Sequence, residues 1–481
     1  MPRTFRSFRE APAPCVTTLG RTAPARVAGR GVATLSALVL ALGAVLWSAP
    51  AQAADPVGST LGLPATTAAV NGHLLDVASS TRPISPWVST DLTALESAAA
   101  VVGSVGVAQT AGNALVVVGR TAVGHLAVFI SSGGAKSWTT GDLTVMGAAP
   151  LATGSPSVVV DPTGVIRVFF RSTTGHLNEI ENDRDTTDPW FSSDLTALTA
   201  ATHGASIAGD PTALSLPGYP TTVFARATGG ALASFTLTDD PQHPWYFVDV
   251  SALANAPAIV GVPVAVPAPD GFGLIAVYAV TAAGVLVEFT DDDFGWHLWS
   301  ARNVSSALSL PPVNSSPTAI SGLPTVVTTV TTTGHLLAIS IPTVSLVGAG
   351  VKDLSALVRQ KVAPAHPVSI VATKVGYVVA ADTSASHLAV FHVTTTTAAT
   401  ATVEDATMQP LTEQFVGSNP VAINLGGVTH VLLDSAGYLG MIPRILLTAE
   451  SQDQFHAKIQ DTPAGSNCNP YTASFGRGTT S

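Results

Sequence analysis

One short tag constrains this chain more than any other feature. Gly-His-Leu occurs at Gly72-His73-Leu74, Gly124-His125-Leu126, Gly175-His176-Leu177 and Gly334-His335-Leu336. Altered copies stand at Gly230-Ala231-Leu232, Gly284-Val285-Leu286, Ser386-His387-Leu388 and Gly437-Tyr438-Leu439. The central residues fall at 73, 125, 176, 231, 285, 335, 387 and 438, so the step stays between 50 and 55 residues. A period of this size is the mark of a repeat architecture.

Other markers keep the same phase. Trp87, Trp138, Trp190, Trp245 and Trp299 follow the centres of the first five tags by thirteen or fourteen residues. Four residues further on come Asp91, Asp142, Asp194, Asp249 and Asn303, most of which open an Asp-Leu-Thr or similar phrase. Asp353-Leu354-Ser355 keeps the phrase after the tryptophan is lost. Pro156, Pro211, Pro263, Pro317, Pro367 and Pro420 precede their tags by about twenty residues.

One unit reads in full. Ser157 to Val160 is an apolar strand and Asp161-Pro162-Thr163-Gly164 is turn chemistry. Val165 to Arg171 is a second strand, Ser172 to Gly175 a second turn, and His176 to Glu181 a third strand. A polar loop then leads to a fourth strand around Trp190 to Leu195. Four strands joined by tight turns make an antiparallel meander. The third strands carry apolar groups on both faces, as in Leu126, Val128 and Phe129, because side chains alternate along a strand. Each meander must therefore be covered twice. An all-β propeller of four-stranded blades over residues 55–460 satisfies this. Eight tags favour eight blades; seven follows if residues 55–95 and 415–460 complete one shared blade. A parallel β-solenoid is the runner-up.

Residues 1–53 stand outside the repeat. Six arginines lead into an apolar run from Val32 to Trp47 and then Ala51-Gln52-Ala53, the pattern of a cleaved secretory signal peptide. A membrane anchor is the alternative, but the run is short for a span. Secretion is therefore expected, with no membrane attachment after cleavage. Loss of six Arg and one Glu takes the formal charge from −10 to −15, and no basic patch remains, which argues against a nucleic-acid partner. Cys15 leaves with the leader, so Cys468 has no partner within the mature chain. Its expected disulfide partner lies outside this chain, and residues 461–481 read as a linker and the truncated start of a C-terminal cysteine-containing domain.

Candidate chemistry is sparse. The repeated histidines occupy one structural position, whereas catalysis needs such a residue once; they are expected to satisfy backbone groups. The Asp of the Asp-Leu-Thr phrase is expected to close a local side-chain-to-backbone turn. The repeated tryptophans either stack on sugars or fill the space between blades, and the second is expected. Asp183, Asp185, Asp188, Asp239, Asp240, Asp291, Asp292 and Asp293 gather in the loops before three of the tryptophans. They read as solvated loops, with Ca²⁺ at Asp291, Asp292 and Asp293 as the alternative. Nucleophile elbow, zinc-protease, Walker and paired-cysteine motifs do not occur.

The run Ser155-Pro156, Arg167-Val168-Phe169-Phe170-Arg171, Gly175-His176-Leu177 and Trp190 resembles the repeat of secreted sugar-binding propellers, the fucose-lectin-like and Photorhabdus-lectin-like group. The resemblance covers residues 60–445. It implies sugar sites between adjacent blades on Arg, Glu and aromatic side chains. Here it carries over to Arg171, Glu179 and Trp190, and to Arg226 and Trp245. Most units have no such Arg or Glu, so a full ring of sites is not expected. Asn467-Cys468-Asn469-Pro470-Tyr471 with Gly476 to Ser481 is similar to the opening of cysteine-rich, CHAP-like cell-wall hydrolase domains that follow such propellers in actinobacterial exported proteins.

These readings converge on a secreted non-catalytic module that binds a glycan or cell-wall polymer. Two alternatives are kept: the targeting propeller of a cell-wall hydrolase whose catalytic domain is truncated, and a propeller glycosidase. The latter needs paired carboxylates, for which Glu179 and Glu288 are the candidates.

Overall fold

A computed structural model describes residues 74–78 and 88–434 apart from short loops, together with strands between 444 and 475. The leader, His73, Trp87, Asp183, Asp185, Asp188, Asp292, Asp293 and Cys468 lie outside the described residues. So does the last tag at Gly437.

The strands fall where the periodicity places them. In the unit read above they are Ala152–Val160, Ile166–Ser172, Leu177–Asn182 and Trp190–Asp194. They pair in sequence order as an antiparallel meander. Six sheets repeat this plan, spanning residues 106–142, 152–194, 212–249, 259–303, 318–353 and 369–405. They are called here the second to seventh sheets.

The first sheet is built from both ends of the repeat region. Leu74–Ala78 pairs with Val88–Asp91 on one side and with Val428–Asp434 on the other, and Val421–Leu425 completes the four. The described residues therefore hold seven four-stranded sheets. Eight tags do not make eight blades, which corrects the favoured count. The first tag leads into a strand that the chain's far end must complete, because a two-stranded half-sheet leaves backbone groups unpaired.

The first strands of neighbouring sheets touch one another in cyclic order. The series runs from Gly106–Gln109 through Ala152–Val160, Thr212–Leu214, Ile259–Pro267, Thr318–Ile320 and Ser369–Thr373 to Val421–Leu425, which returns to Gly106–Gln109. These strands line the axis, and the sheets radiate from it as the blades of a propeller. Apolar clusters fill the wedges between sheets. One joins Val116, Val118 and Val128 of the second sheet to Val168, Phe170 and Trp190 of the third. Both faces of each central strand are thus buried, as the sequence demanded.

Beyond the ring, Arg444–Ala449, Phe455–Gln460 and Thr472–Phe475 form a three-stranded sheet. Part of the segment expected as a linker is therefore paired with the strand that precedes it.

Candidate functional site

The tag is a connector. Gly124, Gly175, Gly230, Gly284 and Gly334 take positive φ and close turns between second and third strands. Their carbonyl oxygens reach outward: Gly124 accepts from Ala152 N–H at 2.7 Å and Gly175 from Ile207 N–H at 2.8 Å, each donor lying in the lead-in to the next sheet. The same bond joins Gly230 to Ile259, Gly284 to Val313 and Gly334 to Val362.

The Asp-Leu-Thr phrase serves the same joint. Each Asp caps a one-turn helix; Asp194 Oδ1, for example, accepts from Ala197 N–H at 2.9 Å. Its other oxygen takes a 2.7 Å bond from His176 Nδ1, and Asp142 and Asp353 hold His125 and His335 identically. In the fifth sheet Val285 replaces the histidine, and Asn303 replaces the Asp while keeping the cap on Ser306 N–H at 2.7 Å. The hydroxyl of Thr196 is buried and accepts from Leu177 N–H at 2.9 Å. Thr93, Thr144, Ser251, Ser305 and Ser355 do the same for their own tag leucines. The Asp closes the expected local turn, whereas the Thr bonds across to the third strand.

Trp138, Trp190, Trp245 and Trp299 are all buried. Trp245 meets Phe169 of the preceding sheet edge to face at 5.8 Å, and Trp299 meets Phe224 in the same way. Trp190 and Trp245 therefore fill the wedges and offer no ring face to a sugar. Glu179 is likewise only 2% exposed. Arg171 does not join it. Pairing across the hairpin sets Arg171 opposite Leu177, Phe169 opposite Glu179 and Arg167 opposite Glu181. Arg171 points instead to Asp210, in the segment leading into the fourth sheet, at 3.8 Å, and Arg226 donates to Ala208 O at 3.1 Å.

Arg167 is the residue the sequence reading passed over. Its Nη1 donates to Glu179 Oε1 at 2.6 Å and also to Glu181, and its Nε lies 3.4 Å from Asp161 Oδ2. The indole of Trp245 hydrogen-bonds Glu179 from the next sheet. Burial pushes the Glu179 carboxyl up to about 7 against the pull of Arg167, with Glu181 adding to the rise. Burial alone would lower the Arg167 guanidinium, but Glu179, Glu181 and Asp161 outweigh it and hold it raised. Burial also acts to raise Asp161, yet bonds from Thr163 and Val165 together with Arg167 leave it lowered. Counting pairs from the turn at Gly175 was the available signal for this set.

The cluster opens at the edge opposite the tag turns, since Asp161 sits in the turn between first and second strands and Glu181 near the end of the third. Glu181 is the accessible member, its side chain 36% exposed. At the matching edge between the second and third sheets lies a groove of about 510 Å³ lined by Thr110, Ile130, Ser131, Ser137, Thr139 and Ile166, among others. There Val116, Val128 and Ile130 stand where Arg167, Glu179 and Glu181 stand one sheet on.

Glu288 occupies the Glu179 position in the fifth sheet. Tyr278 Oη donates to it at 2.9 Å and Arg302 pairs with its other oxygen. Burial raises the Glu288 carboxyl, and Arg302 and Tyr278 pull against that rise. Glu179 and Glu288 sit two sheets apart, each with its own arginine, so they do not face one another across a cleft as a glycosidase pair would. Asp291 is partly buried, and no group of three metal-ligating side chains occurs among the described residues.

No protein-family model matches the chain, and no curated protein matches it. Among solved structures it is similar to the BP39L lectin of Burkholderia pseudomallei, at 16% identity and a TM-score of 0.49, covering 77% of this chain and 99% of that one. It is also similar to the SapL1 lectin in complex with α-methyl fucoside, at 14% identity and a TM-score of 0.41, covering 65% and 98%. A third is the Aleuria aurantia lectin, described as a six-bladed β-propeller with a novel fucose recognition mode, at 12% identity and a TM-score of 0.38, covering 63% and 95%.

Proposed function

We propose that this chain is a secreted, non-catalytic propeller that binds a glycan or cell-wall polymer at the edge where the Arg167 cluster opens between its third and fourth sheets. The observation that carries the reading is the Arg167 cluster. A guanidinium offers up to five donors and ionised carboxylates offer only acceptors. Held rigidly together by Glu179 and Trp245, they present the alternating donors and acceptors that neighbouring sugar hydroxyls require. The apolar leader supports export, and the ring is proposed to consist of seven blades.

A glycan array followed by calorimetric titration tests this. Arg167→Gln is expected to weaken binding at least tenfold. Glu181→Gln, at a half-exposed position where folding is not at stake, is expected to weaken it severalfold. Absence of binding across neutral, acidic and cell-wall-derived glycans, or binding indifferent to both substitutions, would overturn the reading.

A further inference from the structure

Three arginines share one register in consecutive sheets. Arg120, Arg171 and Arg226 stand at or next to the end of a second strand, and each pairs with the tag leucine of its own sheet: Leu126, Leu177 and Leu232. They stand at the tag edge of the propeller, opposite the edge where Arg167 opens. The same position holds Val280, Val330 and Asp382 in the fifth, sixth and seventh sheets, so the cationic groups are confined to one arc.

The arc faces the axis. Arg120 Nε donates to Gly154 O at 3.0 Å, at the start of the third sheet's axial strand. Gly154 packs directly against Asp210, whose Oδ2 accepts from Ser155 N–H at 2.9 Å. Arg171 approaches the same carboxylate at 3.8 Å. Arg226 donates to Ala208 O beside it. Arg171 thus approaches the carboxylate of Asp210, while Arg120 and Arg226 hold backbone carbonyls at the matching positions of the flanking sheets, in a chain whose net charge is −10.

Their donors are not used up. Arg171 makes no side-chain hydrogen bond within 3.5 Å among the described residues, and its Nε and that of Arg226 are buried without a partner there. An unsatisfied buried donor is costly, and an excess of cation over anion adds to that cost.

We infer that this arc is an oxyanion site, taking a carboxylate or sulfate group at the channel rim. Asp210 lies 3.8 Å from Arg171 on one side, and Arg120 and Arg226 hold the same register in the sheets on either side. The site takes charge, whereas the proposed edge at Arg167 takes hydroxyls, and the two stand independently. Such an oxyanion comes either as a free inorganic ion or as the acidic group of a sugar.

Calorimetric titration of the full chain with sodium sulfate and, separately, with glucuronic acid tests this at low and high ionic strength. Binding of either in low salt, weakened severalfold in high salt and at least tenfold by Arg171→Gln with Arg226→Gln, supports the site. Glucuronate binding at least tenfold tighter than sulfate identifies an acidic sugar; equal binding identifies a free anion. If neither anion binds the wild-type protein, or if the folded double variant binds as tightly as wild type, the inference fails. Should that variant not fold, shifts of the Arg171 and Arg226 Nε–H resonances on adding anion to the wild type decide the matter; their absence overturns the site. Neutral-glycan binding is read on Arg167→Gln, so the two readings fail separately.

Discussion

His176 Nδ1 and Asp194 Oδ2 meet at 2.7 Å across the edge of the third sheet. The pair couples the tag turn to the helix that leads into the next sheet, because the second oxygen of Asp194 caps that helix. A motif that looks catalytic is therefore a hinge pin, repeated at His125–Asp142 and His335–Asp353.

Asp194→Ala is expected to lower unfolding free energy by about 1–2 kcal/mol, since it removes the cap and strands the imidazole. Asp194→Asn is expected to cost less, because Asn303 caps the fifth sheet's helix in the natural sequence. Denaturant unfolding of both variants, with equal losses, would contradict this division of labour.

Thr196→Val removes an acceptor from a buried backbone N–H while keeping the side chain's shape. A loss of about 1–3 kcal/mol is expected. Thr196→Ser should be nearly neutral, since Ser251, Ser305 and Ser355 make the same bond elsewhere. Thermal melting of the two variants separates hydroxyl from methyl.

Gly154→Ala places a methyl group against Asp210 at a φ of +75°, and Gly261→Ala places one 2.5 Å from Ser316 Oγ at +71°. Both are expected to destabilise, by about 1 kcal/mol for the backbone conformation alone and by more for the contact. Adding Asp210→Ala to Gly154→Ala should recover the contact part but not the backbone part. Full recovery in the double variant would show that conformation is not limiting.

The Glu179 carboxyl is pushed by burial from 4.5 up to about 7. A folded-state value above the unfolded one stabilises most below the unfolded value and is lost as pH rises through the folded value. Wild-type stability relative to Glu179→Gln is therefore expected to fall between pH 4.5 and just above 7, by roughly 3 kcal/mol. A difference that stays flat over that window would show that Arg167 holds Glu179 ionised throughout.

Trp245→Ala empties the wedge beside Phe169 and removes a hydrogen bond to Glu179. A loss of about 3–5 kcal/mol is expected, measured by equilibrium unfolding. A loss below about 1 kcal/mol would mean that the indole is not packed as found.

Much of this was legible residue by residue. The tags, tryptophans and Asp-Leu-Thr phrases located the strands because each marks a turn or wedge that every unit needs. The site was less legible. Arg171 and Arg167 lie on one strand four residues apart, and only cross-strand counting shows that Arg167 meets Glu179 and Glu181 while Arg171 does not. Trp190 and Trp245 read as filling with sugar platforms as the alternative, and burial decides for filling.

By itself the sequence determined a repeating four-stranded meander buried on both faces, because hydrophobic alternation and turn residues act over a few neighbouring positions. Only the tertiary structure decided how the two ends of the repeat region combine into one sheet, and which charged groups from separate units converge. Those outcomes depend on closing a ring, where residues from distant repeats or adjacent blades, such as Leu74 with Asp434 or Arg171 with Asp210, are brought together by geometry that no local pattern encodes.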